Sequence, residues 1–202
     1  MSDQIIRINT DSAFPTLQEY EVYKLVDENN PVLHTKAKPY DFGAYVREGK
    51  QYNSPENPYY LASSLFETLF KHDGLGLAAP QCGIPYAVLV IGTRESKQVM
   101  FNPVITRVVD ETVEKDVEGC LSYPGLIIKV PRSKAIEVKW QGLDGKEQSG
   151  IFTGLTARVI QHEIAHLLGL DFWYPAGDMT LHLAKKKREK LLKKVLRAKS
   201  RN

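Results

Sequence analysis

The chain has 202 residues, 43% of them hydrophobic and 25% charged, with a formal net charge of +3. That length suits one domain with appendages and buries enough surface to need no disulfides, so collagen-like, disordered and disulfide-rich classes are excluded. Cys82 and Cys120 are its two thiols, which points to a reducing compartment, and its longest apolar run, Tyr86–Ile91, is far too short for a bilayer span. The first residues lack the basic-then-apolar order of a signal peptide, and Asp3 and Asp11 argue against a transit peptide, so the expected location is the cytoplasm. Residues 185–202 hold ten Lys and Arg against Glu189 alone, a local charge of +9, which leaves −6 on residues 1–184. The expected organisation is therefore one folded domain over 1–184, with 1–24 as an N-terminal extension, followed by a basic helix or tail over 185–202. Such a tail either touches a polyanion or forms a solvated helix face.

In chain order, Asp27-Glu-Asn-Asn-Pro and Lys36-Ala-Lys-Pro read as turns. Ser54-Pro55 reads as a helix start, with Ser as cap and Pro at the first helical position. Leu61, Leu65, Phe66, Leu69 and Phe70 then share one helical face, which Gly74 ends. Ala87–Ile91 has the unbroken apolar character of a buried strand. Val99–Val109 and Leu126–Val130 follow as further strands. Ala135–Trp140 alternates with period two and joins Ser149–Phe152 through an Asp144-Gly145 hairpin turn. Thr156–Leu168 has helical periodicity up to Gly169, and Leu181–Ala198 reads as a closing amphipathic helix. Strands in the middle with helices around them predict an α+β fold: mixed or antiparallel sheets packed around the helix that carries the two histidines, with a C-terminal helix.

The strongest chemical signal is His162-Glu163-Ile164-Ala165-His166. Residues four apart share a helix face, so both imidazoles reach one metal ion, and Glu163 stands beside it to handle the protons of a water. A catalytic centre of this kind needs a third protein ligand. Peptidases with a third histidine after the glycine are excluded, because that position is Phe172. Those with a downstream Glu have only Glu189, set among lysines. Cys120, in Glu118-Gly-Cys-Leu-Ser122, is a core cysteine on its own. Beside a two-histidine helix, its thiolate completes a Cys-His-His set with a position left for water. Cys82 reads as packing. Gly74-Leu-Gly-Leu-Ala-Ala-Pro-Gln81 is a close-approach loop rather than a dinucleotide loop, and the amide of Gln81 is placed to donate to an oxyanion.

Together, Gly74-Leu-Gly-Leu-Ala-Ala-Pro-Gln81, Glu118-Gly-Cys-Leu-Ser122 and Gln161-His-Glu-Ile-Ala-His166 resemble, in order and spacing, the three signature motifs of peptide deformylases. The resemblance spans about residues 25–175, including Asn30-Pro-Val-Leu-His and Phe101-Asn-Pro. It implies metal-dependent hydrolysis of the N-formyl group from the formylmethionine of nascent polypeptides, with release of formate. It further implies Cys120, His162 and His166 as ligands of Fe2+, for which Zn2+, Ni2+ or Co2+ substitute. Glu163 becomes the general base and acid, and Gln81 with the Leu121 N–H become the oxyanion donors. Gly74, Leu75 and Gly76 become the loop that holds the substrate backbone. The basic segment becomes a candidate contact with the ribosome. The alternative is a non-catalytic metal-binding relative with a docking role. Two positions depart from the family pattern. Ala165 stands where an Asp usually partners a basic residue, so Arg132 is expected to lack that partner. Ile127 stands where Arg is common, so the substrate groove is expected to be more apolar, with Tyr123 on the same surface.

Overall fold

The computed structural model describes residues 20–44 and 53–199. Residues 1–19 of the expected N-terminal extension therefore lie outside the described part. Its tail end does not: Tyr23 is buried and its N–H donates to Thr68 Oγ1 at 2.9 Å. Five strands form one antiparallel sheet in sequential order, β1 (Gly76–Ala78), β2 (Val88–Gly92), β3 (Lys97–Glu118), β4 (Ile128–Gln141) and β5 (Glu147–Thr153). Three α-helices accompany it among the described residues, α1 (Pro58–Lys71), α2 (Gly154–Leu167) and α3 (Asp178–Lys199). The architecture is α+β and the strands are antiparallel throughout, which removes the mixed-sheet alternative.

The apolar run at β2 is explained by burial on both faces. Val88 and Val90 pack toward α1 with Leu61, Leu65, Leu69, Leu77, Val99 and Phe101. Leu89 and Ile91 point the other way and pack toward α2 with Met100, Ile136, Val138, Ala157, Ile160 and Ile164. A strand with helices on both faces has no polar side to show. A third cluster, Tyr123, Leu126, Ile128, Val130 and Phe172, fills the far end of β4 and is covered by Trp173, Leu181 and Ala184.

Helix α1 begins later than Ser54-Pro55 suggests. Its cap is Asn57, whose side chain accepts from the N–H groups of Tyr59 and Tyr60, and its first-turn proline is Pro58. The capping logic is the same, but an Asn-Pro pair three residues on carries it, because Ser54 closes a turn by accepting the Asn57 N–H at 2.9 Å. Strand β3 runs beyond Val109 to Glu118, and the segments around Leu126–Val130 and Ala135–Trp140 are one strand, β4, continuous through Pro131. The turn at Asp144-Gly145 is present, with Gly145 at φ 74°. Helix α2 starts at Gly154 and ends before Gly169, which has φ 71°. A β-carbon on Gly169 would stand 2.7 Å from the Thr35 backbone, so the chain there requires glycine for room as well as conformation. No described helix is long and apolar enough to cross a membrane.

Candidate active site

The elements deliver the functional side chains to a cleft of about 360 Å³ lined by Gly74, Leu75, Gly76, Gln81, Val117–Leu121, Leu155, Arg158, Val159, His162 and Glu163. Cys120 follows the end of β3, and His162 and His166 sit one turn apart on α2. One ligand atom from each of these three residues lies within 4.8 Å of the others, and Cys120 Sγ is 3.2 Å from His166 Nε2. Ligand atoms around a tetrahedral ion, at ~2.0–2.3 Å from it, stand roughly 3.5 Å apart, so the cluster fits a metal. Burial pushes both imidazoles below their ordinary pKa, toward the neutral form that binds metal. Burial and the nearby Glu163 push the Cys120 thiol up to about 12, a direction that a bound cation reverses.

Four supports hold these groups in place. His162 Nδ1–H donates to Glu118 Oε2 at 2.9 Å, which leaves Nε2 for a metal. The ring also stacks on Phe172, 4.9 Å between centroids. Gln161 pins α2 to the middle of β4: its Nε2 donates to Ser133 O at 2.9 Å and its Oε1 accepts from Ser133 N–H at 3.2 Å. Gln81 is 1% exposed, and its Oε1 accepts from Ala78 N–H at 2.8 Å, which turns its amide nitrogen to Cys120 Sγ (3.5 Å) and Ser122 Oγ (3.2 Å). Glu163 is buried, and burial pushes its carboxyl up to about 8; its Oε2 has no hydrogen-bond partner among the described residues. A buried carboxylate oxygen with an unused acceptor, beside three converging ligand atoms, suits a water in transit between them.

Gly76 makes room for that carboxylate. A β-carbon there would lie 2.6 Å from Glu163 Oε1 and from Val159 Cγ1. Gly76→Ala is expected to displace the Glu163 carboxylate and lower kcat by ~10–100-fold while thermal unfolding moves little. Equal turnover in the two proteins would show that the carboxylate tolerates the shift.

The sequence did not reveal the role of Glu118. It accepts from Arg132 (Nε 3.1 Å, Nη2 2.9 Å), from Arg158 (Nη1 2.7 Å) and from His162, all buried. Burial by itself raises its pKa, yet the hydrogen bonds from His162 and Arg132 outweigh it and hold the carboxyl at about 2. Arg132 lacks the Asp partner, as expected with Ala165 in its place, but another acidic residue fills the role: Glu118 pairs with Arg132 in a fork, and Phe172 O accepts from it at 2.8 Å. Tyr123 is also placed differently from the expected substrate surface. It is not among the residues lining the cleft, but is buried in the third cluster with its hydroxyl on Asp171 Oδ1 at 2.6 Å. Ile127 is half exposed and flanks Gly119. Cys82 packs against the first cluster, as expected for a structural thiol.

Three clustered side chains of metal-ligating type, an adjacent buried carboxylate and an inward-turned amide have the makings of a hydrolase-type centre. Residues 22–177 match the family model for polypeptide deformylase, so the chain belongs to that family. It is 43% identical over 117 residues to a peptide deformylase of Synechocystis, covering 55% of this chain and 62% of that protein. It is 38% identical over 158 residues to one of Carboxydothermus hydrogenoformans, covering 78% of this chain and 95% of the relative. The crystal structure of the peptide deformylase of Thermus thermophilus superposes with a TM-score of 0.66 at 36% identity, covering 85% of this chain and 92% of that one. The chain is accordingly a hydrolase of N-formyl peptides.

Proposed function

We propose that Cys120, His162 and His166 hold a ferrous ion, replaceable by zinc, nickel or cobalt, and that Glu163, Gln81 and Leu121 carry the hydrolysis of formylmethionyl nascent chains. The observation that supports this most is the convergence of the three ligand atoms within 4.8 Å beside the unpartnered Glu163 Oε2. When bound, the ion supplies Lewis-acid polarisation of the formyl oxygen and acidifies a water. Glu163 accepts the water's proton as the oxygen attacks the formyl carbon. Gln81 Nε2 and the Leu121 N–H donate to the oxygen that becomes negative, a contribution of ~3–4 kcal/mol for one such donor. Glu163 then returns the proton to the amine as the C–N bond breaks, releasing formate and a free N-terminus. Leu155, Val159, Leu75 and Val117 give the cleft apolar walls for a methionine side chain, and Gly74–Gly76 and Val117–Gly119 both line it, backbone against which an extended peptide would lie.

The metal assignment is tested by Cys120→Ser. Exchanging a thiolate for an alcohol is expected to lower iron content after anaerobic purification and shift preference toward harder ions. Unchanged occupancy would remove Cys120 from the ligand set. A purely metal-binding role is not favoured, because it gives no use to the Glu163 carboxylate aimed into the cleft. A reducing cytoplasm suits a thiolate ligand.

The exposed half of α3 suits sequence-independent contact with ribosomal RNA phosphate. Leu191, Leu192, Val195 and Leu196 are exposed, only Leu191 reaching back toward the body at Gly125, and the cations around them lie on the same half. Replacing Lys190 and Lys194 with Gln is expected to weaken co-sedimentation with ribosomes at low salt and to flatten its salt dependence by about two phosphate contacts. Co-sedimentation equal to the parent at every salt concentration would sink the docking idea.

A further inference from the structure

The basic C-terminal segment divides into two halves that do different things. In the first half, Leu181, Ala184 and Arg188 lie three and four residues apart on one face of α3 and are turned toward the body. Leu181 and Ala184 close the third cluster, in which Cys120, Tyr123 and Phe172 also pack, and Lys185 Nζ lies 5.4 Å over the Trp173 ring. Arg188 reaches further. Its Nε donates to Pro124 O at 2.9 Å and its Nη2 donates to Glu28 Oε2 at 2.7 Å. Its stem passes Gly125, which has φ 76° and whose β-carbon would stand 3.8 Å from Arg188 Cγ.

Pro124 belongs to the turn that leaves the candidate metal ligand Cys120. Within that turn the Tyr123 N–H donates to Cys120 O at 3.1 Å and the Leu126 N–H donates to Tyr123 O at 3.1 Å. Fastenings from outside come from three directions. Gln81 donates to Ser122 Oγ, Asp171 accepts from the Tyr123 hydroxyl, and Arg188 donates to Pro124 O. Arg188 is itself held by a carboxylate near the start of the described chain, so one guanidinium ties together the N-terminal segment, the turn and the C-terminal helix. Its planar fork suits two acceptors at once, which an ammonium on a flexible stem does not.

We propose that Arg188, held by Glu28, is a positioning residue of the metal centre: it sets the Cys120–Pro124 turn, and with it the thiolate and the Leu121 N–H. The first half of α3 is then a strut for the site. This rests on the reading of Cys120 as a metal ligand.

The experiment uses the full chain loaded with Co2+, whose thiolate charge-transfer absorption reports the Cys120–metal bond. In the parent that band is expected. Its absence would overturn the ligand reading and this inference with it. In Arg188→Ala the band is expected to shift or weaken, chelator stripping of Co2+ to speed up ~10-fold, and kcat to fall ~10-fold with KM within about twofold of the parent. Arg188→Lys is expected to recover only part of each change, because the two bonds leave different nitrogens of the guanidinium and an ammonium has a single nitrogen to reach both acceptors. Glu28→Gln, which keeps a hydrogen-bond acceptor but removes the charge, is expected to move the same readouts in the same direction by less, and carries the test if Arg188→Ala does not fold. A parent-like band, stripping rate and kcat in the folded variants, with only a lower melting temperature, would overturn the proposal and leave Arg188 a packing contact.

Discussion

Glu163→Gln is expected to keep its metal and lose ~10²–10⁴-fold in kcat. The side chain is replaced by one of nearly the same shape, and Cys120, His162 and His166 are untouched, so metal content measured after purification should match the parent. What changes is the proton. A carboxylate takes one from the attacking water and returns it to the leaving amine, and an amide does neither. The surroundings of Glu163 suit the proposed double duty: burial raises its pKa to about 8, and one oxygen has no partner among the described residues. Near-parent turnover in the variant would exclude Glu163 as the base and send the search to another group in the cleft.

Glu118→Ala is expected to be the most damaging change to stability, by ~3–5 kcal/mol, because it leaves Arg132 and Arg158 buried beside a hole. The same change removes the acceptor from His162 Nδ1–H, and metal affinity should fall by ~10–100-fold. Denaturant unfolding of the metal-free protein separates the two effects, since the first persists without metal and the second does not. The pH dependence has a definite sign. The folded-state pKa of Glu118 is held at about 2, below its ordinary value of 4.5, so its ionised form stabilises the fold fully above that ordinary value. The contribution is lost as pH falls from 4.5 toward 2. Glu118→Ala should therefore show a flatter stability profile across that acid window than the parent. An unchanged profile would mean that the carboxylate is not the ionised hub of the cluster.

Much of this was legible in the residues, for identifiable reasons. The β2 run could be assigned because Val88–Ile91 lacks alternation, as a strand between two helical layers must. The His162…His166 spacing on α2 needed only the helical period, and Gly169 marked its end. The second half of β3 was not legible. Asp110–Asp116 is polar and solvent-facing, so no apolar period marks it as a strand, and its pairing with the Val130–Ala135 stretch of β4 supplies the order instead. Nor did the start of α1 stand out, because two Asx/Ser-Pro pairs compete within four residues and only the hydrogen bonds to Asn57 decide between them. The Glu118 hub was hidden for a different reason. Its partners Arg132, Arg158 and His162 come from β4 and α2; Arg158 and His162 share a face of α2, but no local spacing joins them to Glu118 or to Arg132. A carboxylate one residue from a glycine and two from the candidate ligand Cys120 was the available signal. The partner of Arg132 was not legible because it lies on the neighbouring strand, in the cysteine motif rather than the histidine motif.

The most direct measurement of the central claim is formate release from a short formylmethionyl peptide by the intact, anaerobically iron-loaded chain. An acetylmethionyl peptide and the Glu163→Gln variant run alongside it. The account predicts multiple turnovers of formate from the formyl peptide, no acetate from the acetyl peptide, and almost no formate from the variant. Iron-replete parent protein that releases no formate would contradict it, as would a Glu163→Gln protein that releases formate at the parent rate.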